Sequence, residues 1–457
     1  MIACMLAAPA SGTGKTAVTC ALLAALAKRG LSPCAFKCGP DYIDPMFHRS
    51  VLGVESRNLD LFFCSGERLR ELYARGSAGH GAAVVEGVMG YYDGVGGTTD
   101  RASAWHTAHT LGLPVILVLR PQGSSLTLAA QVRGLMGFRT PHHIAGILLN
   151  RCSEMLAKSL APMLERETGL PVLGFLPEMP EAAFESRHLG LFTAGEISDL
   201  SARIDAMAQQ MEKTVDLSRL LALCECEVPC APVRETTAGR AVIAVAKDEA
   251  FCFVYEETLE ALRDAGAKIV PFSPLHDAEL PREAQGLYLP GGYPELYTQQ
   301  LSDNTAMRRA VSDAVRRGMP TVAECGGFLY LGQHLESADG TVYPMVEALP
   351  GDGVRRSRLV RFGYADVTAR QDSMLFQEGE SFPAHEFHYW DSTANGSALA
   401  ARKPVTNREW ECAFTGPSLY AGFPHLYFAG SPVLARRFVR AAEDFSKQHQ
   451  CERSETT

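Results

Sequence analysis

The decamer "APASGTGKTA", residues 8–17, decides how the first half of this chain folds. It follows the apolar run "IACMLAA" (2–8) and leads into "KTAVTCALLAALAKRG" (15–30), whose pattern is that of a helix ending at Gly30. A Gly-rich loop between a strand and a helix lets successive backbone N–H groups converge on a phosphate, and the helix N-terminus adds partial positive charge. Gly12 and Gly14 permit close approach, with Thr13 between them; Lys15 is placed to reach β/γ oxygens, and the Thr16 hydroxyl to bind Mg²⁺. The strict spacing G-x-x-x-x-G-K-[ST] would put its first Gly at position 9, where this chain has Pro9. The match is therefore carried by the strand–loop–helix context.

Outward from the loop, short Val/Ile/Leu runs alternate with helical patterns: "PCAFK" (33–37), "AAVVEG" (82–87), "LPVILVLR" (113–120) and "IAGILLN" (144–150). Wholly apolar strands in that rhythm predict a parallel sheet covered on both faces. Ligands of such sheets bind outside the carboxyl ends of the strands. Two strand ends carry acids there: "VVEGVMGYYDG" offers Glu86 for a nucleotide-bound metal, and "KCGPDYIDP" offers Lys37, Asp41 and Asp44 on a turn-rich loop.

A length of 457 residues predicts two domains. With 46% hydrophobic and 21% charged residues, the composition is that of a soluble globular protein. The net charge of -9, with no dense basic run, argues against nucleic acid as a partner. No stretch reaches the roughly 18 unbroken apolar residues of a membrane helix. Thirteen scattered cysteines fit reduced thiols in a cytoplasmic enzyme.

The strand rhythm stops between about Asp199 and Arg240, where an amphipathic helix gives way to "CECEVPCAPVRETTAGR" (224–240). Residues 199–240, which end in that polar, Pro- and Cys-rich stretch, read as a linker, giving domains at 1–198 and 241–446. Cys224, Cys226 and Cys230 have no partner pair at ligand spacing, so a zinc clip is disfavoured. The α/β rhythm then resumes; beyond Gly340 come shorter aromatic-rich runs, expected as strands or hairpins added to the second sheet.

"PTVAECGGFLYLG" (320–332) reads as an apolar strand turning sharply into a helix at Cys325. Such an elbow exposes the side chain at the sheet edge and sets the next N–H groups, from Gly326 onward, where an oxyanion develops. A helix N-terminus also lowers a thiol's pKa, which predicts a thiolate. A base is needed nearby, and "AGFPHLYF" (421–428) supplies His425. "YLPGGYPELY" (288–297) offers a second oxyanion donor at Gly291 or Gly292. An acid two residues after the histidine is missing, because Tyr427 stands there.

These motifs, together with "RNLD" (57–60), "SRHLGL" (186–191), "DEAFCFVYEETLEAL" (248–262), "FSPLHD" (272–277) and "HEFHYW" (385–390), in order along residues 1 to 430, resemble the cobyrinic acid a,c-diamide synthase family. The resemblance implies an α/β fold in two parts: a P-loop NTPase-like domain similar to dethiobiotin synthetase, then a triad-type (class I) glutamine amidotransferase domain that also lacks the triad acid. It implies ATP and Mg²⁺ as cofactors, and L-glutamine and cobyrinic acid as substrates of an amidation in cobalamin biosynthesis. Carried over by position, it implies Cys325 as nucleophile with His425, phosphate binding by Gly12–Thr16, and metal binding by Thr16, Glu86 and Asp41. Tyr42, Asp44, Ser186, Arg187 and His188 would face the tetrapyrrole, while His385 and His388 receive no chemical step. Hydrogenobyrinic acid or a nickel sirohydrochlorin remains an alternative substrate, and the chain is expected as a monomer or homodimer. Pro290 and Arg120 depart from the family pattern.

Overall fold

The computed structural model describes residues 1–180, 194–228 and 241–455. The chain divides into two units, Met1–Pro232 and Val233–Thr457. In the first, the strands are β1 (Ile2–Ala7), β2 (Pro33–Cys38), β3 (Ser56–Leu59), β4 (Ala82–Glu86), β5 (Val115–Leu119), β6 (Ile144–Asn150) and β7 (Val172–Leu176). Between them run α1 (Lys15–Lys28), α2 (Ile43–Leu52), α3 (Gly66–Ser77), α4 (Ala104–Leu111), α5 (Leu126–Phe138) and α6 (Glu154–Thr168). The strands form one seven-stranded parallel sheet in the order β3-β2-β4-β1-β5-β6-β7. Burial on both faces explains why β1, β4 and β5 are apolar without alternation. Because β2, β4 and β1 are neighbours, the segments that follow Cys38, Glu86 and Ala7 leave the same edge side by side.

The expected linker does not begin at Asp199. Residues 194–228 contain α7 (Ala194–Thr214) and α8 (Leu217–Leu223), and Met207, Met211, Val215, Leu217 and Leu220 are buried in the first unit's core against α1 and β1. The spacing of Met207, Met211 and Val215 is one helical face, and its apolar stripe needs a cover. Residues 229–240, with Cys230, lie outside the described residues, as do Ser186, Arg187 and His188.

The second unit holds β8 (Ala241–Ala246), α9 (Glu256–Asp264), β9 (Ala267–Phe272), β10 (Gly286–Leu289), α10 (Thr298–Asp303), α11 (Thr305–Arg316), β11 (Thr321–Glu324) and α12 (Gly326–Leu331). There follow β12 (His334–Glu336), β13 (Val342–Pro344), β14 (Asp352–Arg355), β15 (Arg361–Ala369), β16 (Ser381–His388), β17 (Trp390–Ser392), β18 (Leu399–Arg402) and β19 (Glu409–Cys412). The unit ends with β20 (Phe414–Thr415), β21 (Leu419–Gly422), β22 (His425–Leu426) and α13 (Pro432–Glu455). Its main sheet has the order β20-β21-β11-β10-β8-β9.

Of the strands beyond Gly340, only β20 and β21 join that sheet, which corrects the expectation. The others make two sheets, β13-β12-β14-β17 and β19-β18-β15-β16-β22. In the larger, Ala365, Val367 and Ala369 alternate inward onto a core shared with Tyr288, Leu426 and Phe438, so one face is covered. Among the described residues, no helix is long and apolar enough to cross a membrane.

Candidate active sites

In the first unit, Gly14 takes φ +88°, a left-handed conformation that glycine adopts without strain. A Cβ there would also lie 2.4 Å from Asn150 Nδ2, which donates to the Thr13 carbonyl at 2.7 Å. Asn150 thus braces the loop from the end of β6. Its signal in the sequence was a single polar residue closing an apolar strand, which went unread. Lys15 is buried and Nζ donates to the Met89 carbonyl at 2.6 Å and to Ala10 at 3.4 Å. Burial pulls its pKa down to about 8, opposed by Glu86.

Beneath the loop lies a charge cluster made by strand register. Lys37 of β2 and Glu86 of β4 are directly opposite, and Lys37 Nζ donates to Glu86 Oε1 at 2.7 Å and to Asp44 Oδ2. Thr16 Oγ1 donates to the same Glu86 oxygen at 2.7 Å. Burial pushes the Glu86 carboxyl up. Burial opposes ionisation of Asp44 too, but Lys37 overcomes it and holds that carboxyl below its ordinary value. Asp41 Oδ1 accepts from the Ile43 N–H at 2.8 Å at the start of α2, and burial, with Asp44 nearby, pushes its carboxyl up to about 7.

Thr16 and Glu86 are therefore brought together as expected, and Asp41 lies close enough to feel the Glu86 charge. Asp44 is not on an open face: it is buried against Lys37, and Tyr42 is buried beside it. Glu86 Oε2 is buried without a hydrogen-bond partner among the described residues. A hard oxygen so placed, next to a hydroxyl and a phosphate-type loop, fits a small divalent cation that shares phosphate oxygens. No cluster of three or more His, Cys, Asp or Glu side chains able to hold a metal occurs among the described residues.

In the second unit, β10 and β21 flank β11, so the Gly291 turn, the Cys325 elbow and the His425 segment converge. Cys325 has φ +50° and ψ −103°, a strained conformation for a side-chain-bearing residue. The Gly326 N–H hydrogen-bonds its sulfur. A Cβ on Gly291 would lie 2.6 Å from His425 Cε1, 3.4 Å from His425 Nε2 and 3.5 Å from Cys325 Cβ. The imidazole edge and the thiol side chain thus border one gap that glycine keeps open. The Gly292 nitrogen is 3.1 Å from where a Gly326 Cβ would stand, so the glycine turn packs against the residue that follows the thiol.

The thiolate expectation fails for the protein as it stands. Burial pushes the Cys325 thiol far up, Glu295 pushes it further, and a six-residue helix does not offset them. The proton has to be taken by a base. Glu295 was passed over in the sequence; burial raises its carboxyl to about 7.

Asp248, from "DEAFCF", explains that motif as a brace. Its carboxylate accepts from Ala250 N, Phe251 N, Leu275 N and Ser273 Oγ at 2.8–3.0 Å. The loop so fixed accepts Tyr293 N at Ala250 O and donates Phe253 N to Gly291 O, which holds the glycine turn.

"HEFHYW" lies along β16, where His385 is the cross-strand partner of His425. Burial, with His425 and Lys403 near, lowers the His385 pKa to about 3, so it is neutral. The His388 ring stacks on Phe423 at 3.8 Å, and its Nδ1 donates to the Trp390 carbonyl at 2.6 Å. Both histidines pack around the thiol site.

Glu324, beside the nucleophile in sequence, was read only as the end of a strand. Its Oε1 accepts from Leu426 N at 3.0 Å, and its Oε2 accepts from Tyr288 OH at 3.1 Å and stands 3.6 Å from His425 Nδ1.

Residues 4–191 match the family described as the CobQ/CobB/MinD/ParA nucleotide binding domain, and residues 242–433 match the CobB/CobQ-like glutamine amidotransferase domain. The cobyrinate a,c-diamide synthase of Salmonella typhimurium is 39% identical over 448 residues, covering 96% of this chain and 97% of that one. That of a Synechococcus species is 37% identical over 464 residues, covering 97% and 98%. That of Caldanaerobacter subterraneus is 34% identical over 451 residues, covering 97% and 99%. With identity at this level along almost the whole of each relative, the chain belongs to the cobyrinate a,c-diamide synthase family.

Proposed function

We propose that this protein amidates the a and c carboxylates of cobyrinic acid, using ATP and glutamine, in cobalamin biosynthesis. A carboxylate repels nucleophiles, so it is first phosphorylated by ATP to an acyl phosphate; ammonia then displaces phosphate to give the amide. The backbone of Gly12–Thr16 and Lys15 would hold the phosphates, with Lys15 drawn from the Met89 carbonyl onto the transferring group. Thr16 and Glu86, with Asp41, would hold Mg²⁺, which neutralises phosphate charge. Tyr42 and the segment Ser186–His188 are assigned to the tetrapyrrole by family position alone.

Ammonia is mostly protonated at neutral pH, so it is released from glutamine inside the protein. His425 takes the Cys325 proton, the sulfur attacks the glutamine amide carbon, and the imidazolium passes that proton to the departing nitrogen, so that ammonia leaves as a thioester forms. Water then hydrolyses the thioester to glutamate. The N–H groups of Gly326 and of the Gly291–Gly292 turn would donate to the oxyanion of both steps.

One observation carries this reading: a single chain contains both a phosphate loop over an unpartnered buried carboxylate oxygen and a thiol facing an imidazole across a glycine gap. Mass spectrometry after incubation with ATP, Mg²⁺, glutamine and cobyrinic acid should show two carboxylates converted to amides. A product amidated only when hydrogenobyrinic acid or nickel sirohydrochlorin is supplied would correct the substrate, and no amide from any of them would refute the reaction.

A further inference from the structure

We infer that Glu324 is the positioning acid for His425, taking the place of the residue that Tyr427 leaves without a carboxylate. The inference rests on reading Cys325 and His425 as the glutaminase pair. A catalytic imidazole must hold one nitrogen protonated and the other bare toward its nucleophile, and the group on the far nitrogen sets which is which. Here the far nitrogen is Nδ1, 3.6 Å from Glu324 Oε2. A carboxylate accepts and does not donate, so it favours the Nδ1–H tautomer and leaves the Nε2 lone pair at the edge that borders Gly291 and Cys325.

The carboxylate is fixed rather than adventitious. Glu324 is 1% exposed, and two donors hold it: the Tyr288 hydroxyl from β10 and the Leu426 N–H, one residue beyond the histidine it serves. One contact therefore sets the backbone of β22 while the other oxygen addresses the ring. In an extended strand, successive side chains point to opposite faces. The abrupt φ of +50° at Cys325 breaks that alternation, so Glu324 stands at the Nδ1 side of His425 while Cys325 borders the same glycine gap as the Nε2 edge. When the thiol S–H bond breaks, its electron pair stays on sulfur and the proton moves to Nε2. The imidazolium so formed has the Glu324 carboxylate behind it, while the same charge acts directly on the sulfur in the opposite sense, as one of the causes that hold the thiol up. Other titratable groups around this pair include Glu295 and Glu386 on the thiol side, His388 beside Glu386, Tyr288 on Glu324, and His385 across β16 with Lys403 beyond it.

The test is E324Q in the full-length protein, read by glutamine hydrolysis and by the pH dependence of Cys325 alkylation with iodoacetamide. Glutamine keeps the volume and an acceptor for Leu426 N–H, but offers an NH₂ group to Nδ1 and so favours the wrong tautomer. Glutamine hydrolysis should fall by about 10²–10⁴, the size of a tautomer defect in a triad. Alkylation should also shift to higher pH if Glu324 acts through His425; removal of a charge that acts only on the sulfur would shift it to lower pH, and that outcome overturns the inference. An unchanged alkylation profile overturns the inference. If E324Q does not fold, Tyr288→Phe, which deletes one of the two donors to Glu324, should displace the profile the same way, and no displacement overturns it equally. Cys325→Ser and His425→Ala separate the two levels: if they keep glutamine hydrolysis, the underlying pair is wrong, whereas if they lose it and E324Q does not, only the role of Glu324 is wrong.

Discussion

At the phosphate loop, Lys15, Lys37, Asp44 and Glu86 sit close together below the surface, each charge answered by another or by a backbone carbonyl. At the thiol site, Cys325 is neutral, and its surroundings are backbone turns, packed aromatic rings and two carboxylate–imidazole contacts, Glu324 with His425 and Glu386 with His388. The first site prepares for a polyanion by storing cations in a low-dielectric setting, where a single charge counts for much. The second prepares for a neutral amide by fixing where N–H groups and a ring edge stand. Deleting a charge should therefore damage the first site most, and adding a small volume should damage the second.

Among changes that set a deleted charge against an added volume, the largest effect is expected from Lys15→Ala. It removes the cation proposed to meet the transferring phosphoryl group, and losses of about 10²–10³ in rate are typical for one such electrostatic partner. Amidation should fall that far with glutamine and with ammonium alike, since both nitrogen sources meet the same activated carboxylate. Retained synthesis from ammonium would break the assignment of the loop.

Gly291→Ala is the matching blow to the other site. The new methyl would sit 2.6 Å from His425 Cε1, so the ring or the turn must move. Overpacking of this kind costs about 1–3 kcal/mol. The melting temperature should drop modestly while glutamine hydrolysis drops by more, and ammonium-supported amidation should persist. Equal losses with both nitrogen sources would mean that the glycine serves the fold of the unit and not the gap beside the thiol.

How far these sites could be read beforehand follows the same division. Local features were legible: the strand–loop–helix at Lys15, the elbow at Cys325 and the acid at Glu86 each lie within one short segment. Features made by strand order were not. Lys37 and Glu86 are 49 positions apart and meet only because β4 inserts between β2 and β1, a choice no periodicity encodes. Asp44 was placed on a turn-rich loop without its ion-pair partner Lys37 for the same reason: no local pattern joins the two. Glu324 was hidden in a different way. The search for a triad acid looked two residues past the histidine, whereas the fold supplies it from the residue before the cysteine. The helices of residues 199–224 were misplaced because their apolar stripe was weighed less than the polar run after it.

The smallest effect is a fraction of a proton, and it bears on the charge side of the comparison. In the free protein, burial lowers the Lys15 pKa to about 8, so near that pH the ammonium is about half deprotonated. Phosphate oxygens brought within contact favour the charged form and raise the pKa again. Nucleotide binding at pH 8 should therefore take up a proton, up to about half per site by this titration. Above pH 8 the uptake grows toward one while affinity declines, because more of the binding energy goes into protonation; well below pH 8 both effects vanish, as the lysine is already charged. Calorimetry in two buffers of different ionisation enthalpy measures the uptake directly. Lys15→Arg, whose guanidinium does not titrate in this range, should abolish it. Uptake that survives in Lys15→Arg would place the proton on another group of the cluster, with Asp41 first in line, since its carboxyl is pushed up to about 7.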